Sequence, residues 1–533
     1  MAQNYPSRRD LIWVDDGEEL HPLQRGKRGF FRVIFSRAFF IALFLLVEFV
    51  LVFLAAHYLG EYSYTFYIFS RILAVVIILY LMNESGNPDQ KITWIVLILV
   101  VPALGISLYL ITRTDIGHRV VNRRLTETIR MTEPFFPDQS AVMERLKTDD
   151  PALYGLANYT LRTVHCPVYD NTIAEYYPGG EEKFAALLKA IESAEHFIFL
   201  EYFILDDGVM WGRILKLLEE KVRAGVEVRV IYDGMCAFTR LPYSYPKQLE
   251  ALGIRCKMFS PLRPFVSTFY NNRDHRKIAV IDGRIAFTGG VNLADEYINL
   301  KPKFGHWKDA SISFVGPAVR SFTLMFLQMW DLDEPEPDDF SKYLAYEHTH
   351  TAPGYVLPYF DSPLDQELVG ETVYLDILNR AERYVHIMTP YLILDHETIT
   401  ALTTAAKRGV DVELILPHIP DKKYAFALAK GHYRELLDAG VKIFEYTPGF
   451  LHAKVFVSDD KKAVVGTINL DYRSLYLHFE CAAYLSECPA VADVERDFLA
   501  TRAQSMEIEP KNWGFSFPMR VSAILLKMFA PLM

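Results

Sequence analysis

Two stretches of the chain carry the same reactive side chains at the same spacing. His275–Asn292 is HRKIAVIDGRIAFTGGVN and His452–Asn469 is HAKVFVSDDKKAVVGTIN. His275, Lys277, Asp282, Gly289 and Asn292 recur without a gap as His452, Lys454, Asp459, Gly466 and Asn469. Imidazoles attack or carry protons near neutral pH, while ammonium and carboxamide groups donate to anions. Brought to one centre, two of each would bind a phosphate diester without a metal or cofactor. One histidine can then attack phosphorus and the other protonate the leaving alkoxide. Neutral imidazole attacks well only if an acceptor holds its other ring nitrogen. Candidate acceptors also come as a pair: Asp309 in HWKDASISF and Glu480 in HFECAAYL follow their respective asparagines.

The elements that must position these groups are β-strands. Residues i and i+2 project from one face of a strand, so each His and Lys would enter one pocket. Ile278 and Val280, or Val455 and Val457, then face a core. Asp282 and Asp459 complete the two motifs and count among the candidate catalytic residues, although their opposite parity puts them at the following turn, where a local structural acceptor is favoured over a direct reactant. The rest of each half repeats too. Ala194–Asp207 matches Ala381–His396, Ala224–Tyr232 matches Arg408–Leu416, and Leu252–Pro261 matches Ala439–Pro448. Strands alternating with amphipathic helices predict a duplicated α/β fold with a pseudo-two-fold axis between the halves. The acidic Asp331–Asp339 (DLDEPEPDD) is expected to be a solvated connector.

The composition sets bounds on what surrounds this core. The chain has 533 residues, a net charge of −10, 51% apolar and 14% aromatic residues, which excludes disorder and argues against a nucleic-acid binder. The five scattered cysteines show no disulfide or zinc pattern. The mean hydropathy of +0.09 is raised by three apolar runs, Ala38–Tyr58, Phe66–Met82 and Ile92–Thr112. These imply a membrane-attached globular protein and exclude a polytopic transporter. No cleavable secretory signal is apparent. Basic residues flank both outer ends: Arg25, Lys27, Arg28, Arg32 and Arg37 before the first run, Arg113, Arg119, Arg123, Arg124 and Arg130 after the third. Both flanks on the cytoplasmic side require an even number of crossings. Either one run is re-entrant or interfacial (Pro102 and Gly105 mark the third, Glu48 the first), or one flank lies outside. At the other end, Trp513–Met533 places Arg520 and Lys527 on one face of an apolar helix, as expected of a segment on a bilayer surface or docked on the core.

The paired HxKxxxxD motifs resemble the signature of the phospholipase D superfamily. EYFILDD, TGGVNLADEY, WKD followed by VGPAV at Val315–Val319, the ITWIVLILVVPALGISLY run and the terminal APLM resemble bacterial cardiolipin synthases more narrowly. The resemblance implies duplicated phospholipase D-like α/β domains sharing one active site, preceded by N-terminal transmembrane helices. In that scheme His275 is the nucleophile that forms a phosphohistidine. His452 protonates the departing glycerol and then deprotonates the incoming alcohol. Lys277, Lys454, Asn292 and Asn469 hold the phosphate, and Asp309 and Glu480 orient the imidazoles. Thr467 in place of Gly290 makes the pocket asymmetric.

The expected organisation is a basic cytoplasmic segment over 1–37, a membrane region over 38–112 with two or three hydrophobic helices, and a connector over 113–150. Phospholipase D-like domains follow over 151–335 and 336–509, then an amphipathic membrane-surface segment over 510–533. The expected partners are phosphatidylglycerol and the lipid bilayer, not nucleic acid. The expected location is the bacterial inner membrane, multi-pass, with the catalytic domains cytoplasmic. The expected activity is transfer of a phosphatidyl group between two phosphatidylglycerols. The alternative is hydrolysis or another phosphatidyl transfer by the same chemistry.

Overall fold

The computed structural model describes residues 63–113, 116–261, 272–334, 336–365, 367–509 and 517–532, together with Leu46, Val50 and Lys511. Apart from those two helical residues, the first apolar run and the basic segment before it lie outside the described residues.

The repeat read from the sequence becomes two mixed sheets. The first contains β1 (Ile173–Tyr177), β2 (Phe197–Tyr202), β3 (Glu227–Asp233) and β4 (Arg255–Phe259). After the short β5 (Arg273–Asp274) come β6 (Lys277–Ile281) and β7 (Ile285–Gly289); after β8 (His306–Lys308) comes β9 (Ser311–Val315). Its order is β1-β9-β7-β6-β2-β3-β4. The second half follows with β10 (Tyr355–Asp361), β11 (Tyr384–Met388), β12 (Asp411–Pro417) and β13 (Lys442–Tyr446). Then come the short β14 (Gly449–Leu451), β15 (Val455–Ser458), β16 (Lys462–Gly466), β17 (His478–Ser486) and β18 (Ser505–Glu507). Its order is β10-β17-β16-β15-β11-β12-β13-β18, the same order strand for strand with β18 added at one edge.

In each half three strands run parallel (β2, β3, β4 and β11, β12, β13) and the motif strand, β6 or β15, pairs antiparallel to the first of them. Parallel neighbours need a crossover. The Val209–Arg223 helix supplies one, burying Met210, Trp211, Ile214 and Leu218 at helical spacing. Strand parity works as expected in β6. Ile278 and Val280 enter a core that also holds Val455, Phe456 and Val457 of the other half, whereas Ala279 and Ile281 face the helices of their own half.

The halves therefore share one interior. The Val319–Trp330 helix lies within it, packed on β6 and β7 and on β10, with every residue buried except Arg320. An apolar surface all round is what such a helix requires. The acidic stretch that follows is a connector, solvated at Asp333, Glu336, Pro337 and Asp339, but tied down by the carboxylates between them. Arg229, itself buried, binds Asp338, Lys257 lies 2.8 Å from Glu334, and Asp331 accepts the Asp338 N–H at 3.0 Å. Carboxylates opposite the basic residues of β3 and β4 clamp the link between halves.

At the N-terminal end, the second apolar run forms the Ser63–Asn83 helix, long and apolar enough to cross a membrane. The third run is not one helix. It breaks at Val101 into Pro88–Val100 and Pro102–Arg113, because Pro102 cannot donate to the preceding turn. The Phe517–Phe529 helix at the other end packs against Lys423–Asp438.

Candidate active site

Both motif histidines sit where the chain changes partners. β5, just before His275, pairs in parallel with the start of β17; β14, just before His452, pairs in parallel with β8. After the histidines, β6 and β15 return to their own sheets. His275 N–H donates to the Phe479 carbonyl at 2.9 Å, and His452 N–H to the Lys308 carbonyl at 2.7 Å. Each histidine is thus pinned by backbone to the residue just before the other half's acid.

The side chains complete the exchange. His275 Nδ1 lies 2.9 Å from both oxygens of Glu480, and His452 Nδ1 lies 2.8 Å from Asp309 Oδ2. Carboxylates only accept, so both rings carry the proton on Nδ1 and present Nε2. Burial, with the charges of Lys277, Lys454 and His452, holds His275 well below the usual imidazole range. Burial and Lys454 bring His452 down to about 4, against the pull of Asp309. Both rings are neutral at pH 7. Burial alone would raise the Asp309 carboxyl, but His452, Lys454 and the Ala310 N–H hold it below its ordinary value.

The two acids are fitted differently. A Cβ on Gly290 would stand 1.9 Å from Asp309 Oδ1, so only glycine leaves room for that carboxylate. The matching Thr467 instead donates its hydroxyl to Glu480. The asymmetry seen between the motifs is therefore a change of partner as well as of volume.

Lys277 and Lys454 each donate to the carbonyl of the preceding motif histidine. Burial lowers them to about 8 and about 7. Asn292 accepts the Ile204 N–H at 2.9 Å and donates to the Tyr297 hydroxyl at 2.8 Å, leaving one amide hydrogen free for a ligand. Asn469 Oδ1 is buried without a partner. Asp282 and Asp459 stand at positive φ on the turns after β6 and β15. Asp282 accepts the N–H groups of Glu195, His196 and Phe197, and Asp459 those of Glu382, Arg383 and Tyr384. They bind the turns into β2 and β11.

Tyr297, Phe450 and Phe203, which the sequence reading did not single out, join Trp307 around the two histidines. The rings of Trp307, Tyr297 and Phe450 lie 5.4, 5.6 and 5.8 Å from that of His452, and Phe203 lies 4.9 Å from His275. Beneath His275, buried Arg276 pairs with Glu201 and Asp274. Glu201, a lone charge inside FIFLEYF, was the available signal for that network. His478 occupies the place that Trp307 has in the first half, two residues before the acid. Trp307 Nε1 donates to Asp309 at 3.3 Å, whereas neither ring nitrogen of His478 has a hydrogen-bond partner. His275, His478 and Glu480 are spaced closely enough to share a cation, though Glu480 already holds His275.

Two imidazole–carboxylate pairs and two lysines at the join of two like halves define a class. The family described as "Cardiolipin synthase, PLD-like domain" matches residues 187–303 and 374–502, and the one described as "Phospholipase_D-nuclease N-terminal" matches 71–113. The chain belongs to the phospholipase D superfamily. Within it, the chain is cardiolipin synthase-like. It is 34% identical over 466 residues to the cardiolipin synthase of Geobacillus kaustophilus, covering 86% of this chain and 92% of that one. It is 32% identical over 437 residues to that of Halalkalibacterium halodurans, covering 80% and 86%. An uncharacterized protein of Streptococcus mutans serotype c is 51% identical over 458 residues, covering 86% and 99%. The crystal structure of a Haemophilus influenzae phosphatidylserine synthase shares the fold at a TM-score of 0.52 and 16% identity, covering 70% of this chain and 96% of that one.

Proposed function

We propose that the protein is a cardiolipin synthase that joins two phosphatidylglycerols into cardiolipin and free glycerol. The observation that carries this reading is the crossed pair of dyads, His275–Glu480 and His452–Asp309. His275 Nε2 attacks phosphorus of the first lipid, and the bond from phosphorus to the glycerol oxygen breaks. His452 gives its proton to that oxygen. His452 is neutral in the free site, so the bound diester anion must raise its proton affinity and bring the proton in with the substrate. Lys277 and Lys454 hold the equatorial oxygens, with Asn292 and Asn469 as further donors. In the second step His452 takes the proton from the second lipid's glycerol hydroxyl. The new P–O bond forms as the P–N bond of the phosphatidyl-histidine breaks.

Transfer must outrun hydrolysis. His275, Lys277, His452 and Lys454 are all buried, and aromatic rings line the His452 side. A poorly hydrated site favours a lipid alcohol over water. The Ser63–Asn83 helix would cross the bacterial cell membrane and keep the site at the cytoplasmic leaflet, where both substrates are confined.

The test is the purified protein given phosphatidylglycerol in vesicles with a chelator present. Cardiolipin and glycerol in equal amounts are expected, and neither from His275→Ala. Phosphatidic acid as the sole lipid product would overturn transfer in favour of hydrolysis.

A further inference from the structure

The third apolar run folds as an antiparallel hairpin. Trp94 and Tyr109 meet edge to face at 5.6 Å, and a Cβ on Gly105 would stand 2.7 Å from Ile98 Cα, so the two helices touch through backbone. At the open end Arg113 forms an ion pair with Glu84 and Lys91 donates to the Glu84 carbonyl. Both ends of the run therefore lie beside the end of the Ser63–Asn83 helix. The closed end reaches up that helix to Arg71, whose guanidinium lies 3.4 Å from the Leu99 carbonyl. Ile98, Ile106 and Tyr109 share a buried cluster with Ala74, Ile77 and Leu81.

Lengths decide what this hairpin can do in a bilayer. The Ser63–Asn83 helix is 21 residues, a rise of about 31 Å and enough to cross about 30 Å of hydrocarbon. The hairpin arms have 13 and 12 residues, about 20 and 18 Å, and cannot. The tip is apolar and uncovered, with Leu99 50% and Val100 72% exposed. A charge at the depth of Arg71 is costly unless it is paired, and the carbonyl end of the Pro88–Val100 helix offers it a negative partner.

We infer that residues 88–113 form a re-entrant hairpin. It enters the leaflet on the catalytic side, buries its tip among acyl chains and returns to the same side. This rests on the reading that Ser63–Asn83 spans the bilayer, and it commits the exposed hairpin face to lipid. The surface continues that of the spanning helix, and the basic residues Arg123, Arg124 and Arg130 follow its exit. The hairpin also bears on the site. Asp89 accepts from the Tyr472 hydroxyl, three residues beyond Asn469, and Thr93 donates to the Met528 carbonyl at 2.9 Å. One rigid unit of hairpin, motif loop and C-terminal helix holds the catalytic centre to the leaflet.

Single cysteines at Tyr64, Ser85, Val100 and Thr126 in the full chain test this in membrane vesicles of both orientations. The five native cysteines are buried, so background labelling by an impermeant maleimide should be low. Ser85→Cys and Thr126→Cys are expected to label from the same side and Tyr64→Cys from the other. A bimane on Val100→Cys is expected to be quenched by brominated acyl chains. Labelling of Ser85→Cys and Thr126→Cys from opposite sides, or a Val100→Cys probe quenched only by aqueous iodide, would overturn the hairpin. Tyr64→Cys and Ser85→Cys labelled from one side would instead overturn the spanning helix beneath it.

Discussion

Lys277 and Lys454 sit fully buried beside two neutral imidazoles, so the free site has positive charge only as long as the lysines keep their protons. Burial has lowered them to about 8 and about 7, from an ordinary value near 10.5. Both are needed as cations to draw in a diester anion, so raising the pH through that window removes the attraction. The specificity constant kcat/KM, which reports free-enzyme ionisations, should fall about tenfold per unit from pH 5 to about 7, because free His452 must take up the proton it later gives, and more steeply above about pH 8 once both lysines are neutral. The acid side should show no step near 6.5, since burial has moved His452 to about 4. Initial rates on phosphatidylglycerol vesicles from pH 5 to 9 test both limbs. A slope that does not steepen by pH 9 would mean that the lysines do not titrate as their burial requires.

The turn after β7 and the strand after β8 must fit each other closely. Gly290 N–H donates to the Ala310 carbonyl, and the Asp309 carboxylate lies where a Gly290 side chain would go. Gly290→Ala should push Asp309 out of line with His452 Nδ1 and leave that ring free to rotate or change tautomer. Loss of an orienting carboxylate costs roughly 10³–10⁴-fold in enzymes that use an imidazole as proton carrier. Gly290→Ala should therefore lower kcat by about 10³ in a steady-state assay. A kcat within tenfold of the parent would show that Asp309 does not orient His452. Thr467 explains why the motifs differ at this element: with its hydroxyl on Glu480, the second half needs a side chain where the first needs none.

Across the whole molecule, the crossing strands make the site indivisible. Each histidine is held by backbone and carboxylate from the other half, and the two sheets share one core. Both dyads therefore come from a single chain. Purified His275→Ala and His452→Ala proteins mixed at equal concentration should remain as inactive as either alone. Recovery of about a quarter of the parent activity, measured as cardiolipin formed, would mean that halves exchange between chains and that the centre forms at a subunit interface.

Much of this was legible in the order of residues. The two His-x-Lys motifs, the strand–helix–strand repeat and the turn position of Asp282 and Asp459 follow from local periodicity, because strand parity and turn chemistry are set by residues within a few positions of one another. The candidate acids Asp309 and Glu480 could be found, but not which histidine each serves. That pairing crosses between halves and depends on how two sheets pack, for which no local spacing is a proxy. The same reason hid the sharing of Asn292 with Ile204 and Tyr297, the ties of Asp338 and Glu334 to Arg229 and Lys257, and the folding back of the third apolar run. Pro102 marked a weak point in that run. Only the packing of Ile98 against Gly105 and of Arg71 against Leu99 decided that the chain turns back there. The sequence by itself determined the reactive groups and the strands that bear them; the tertiary structure decided which of them meet, since contacts between distant segments are a property of packing.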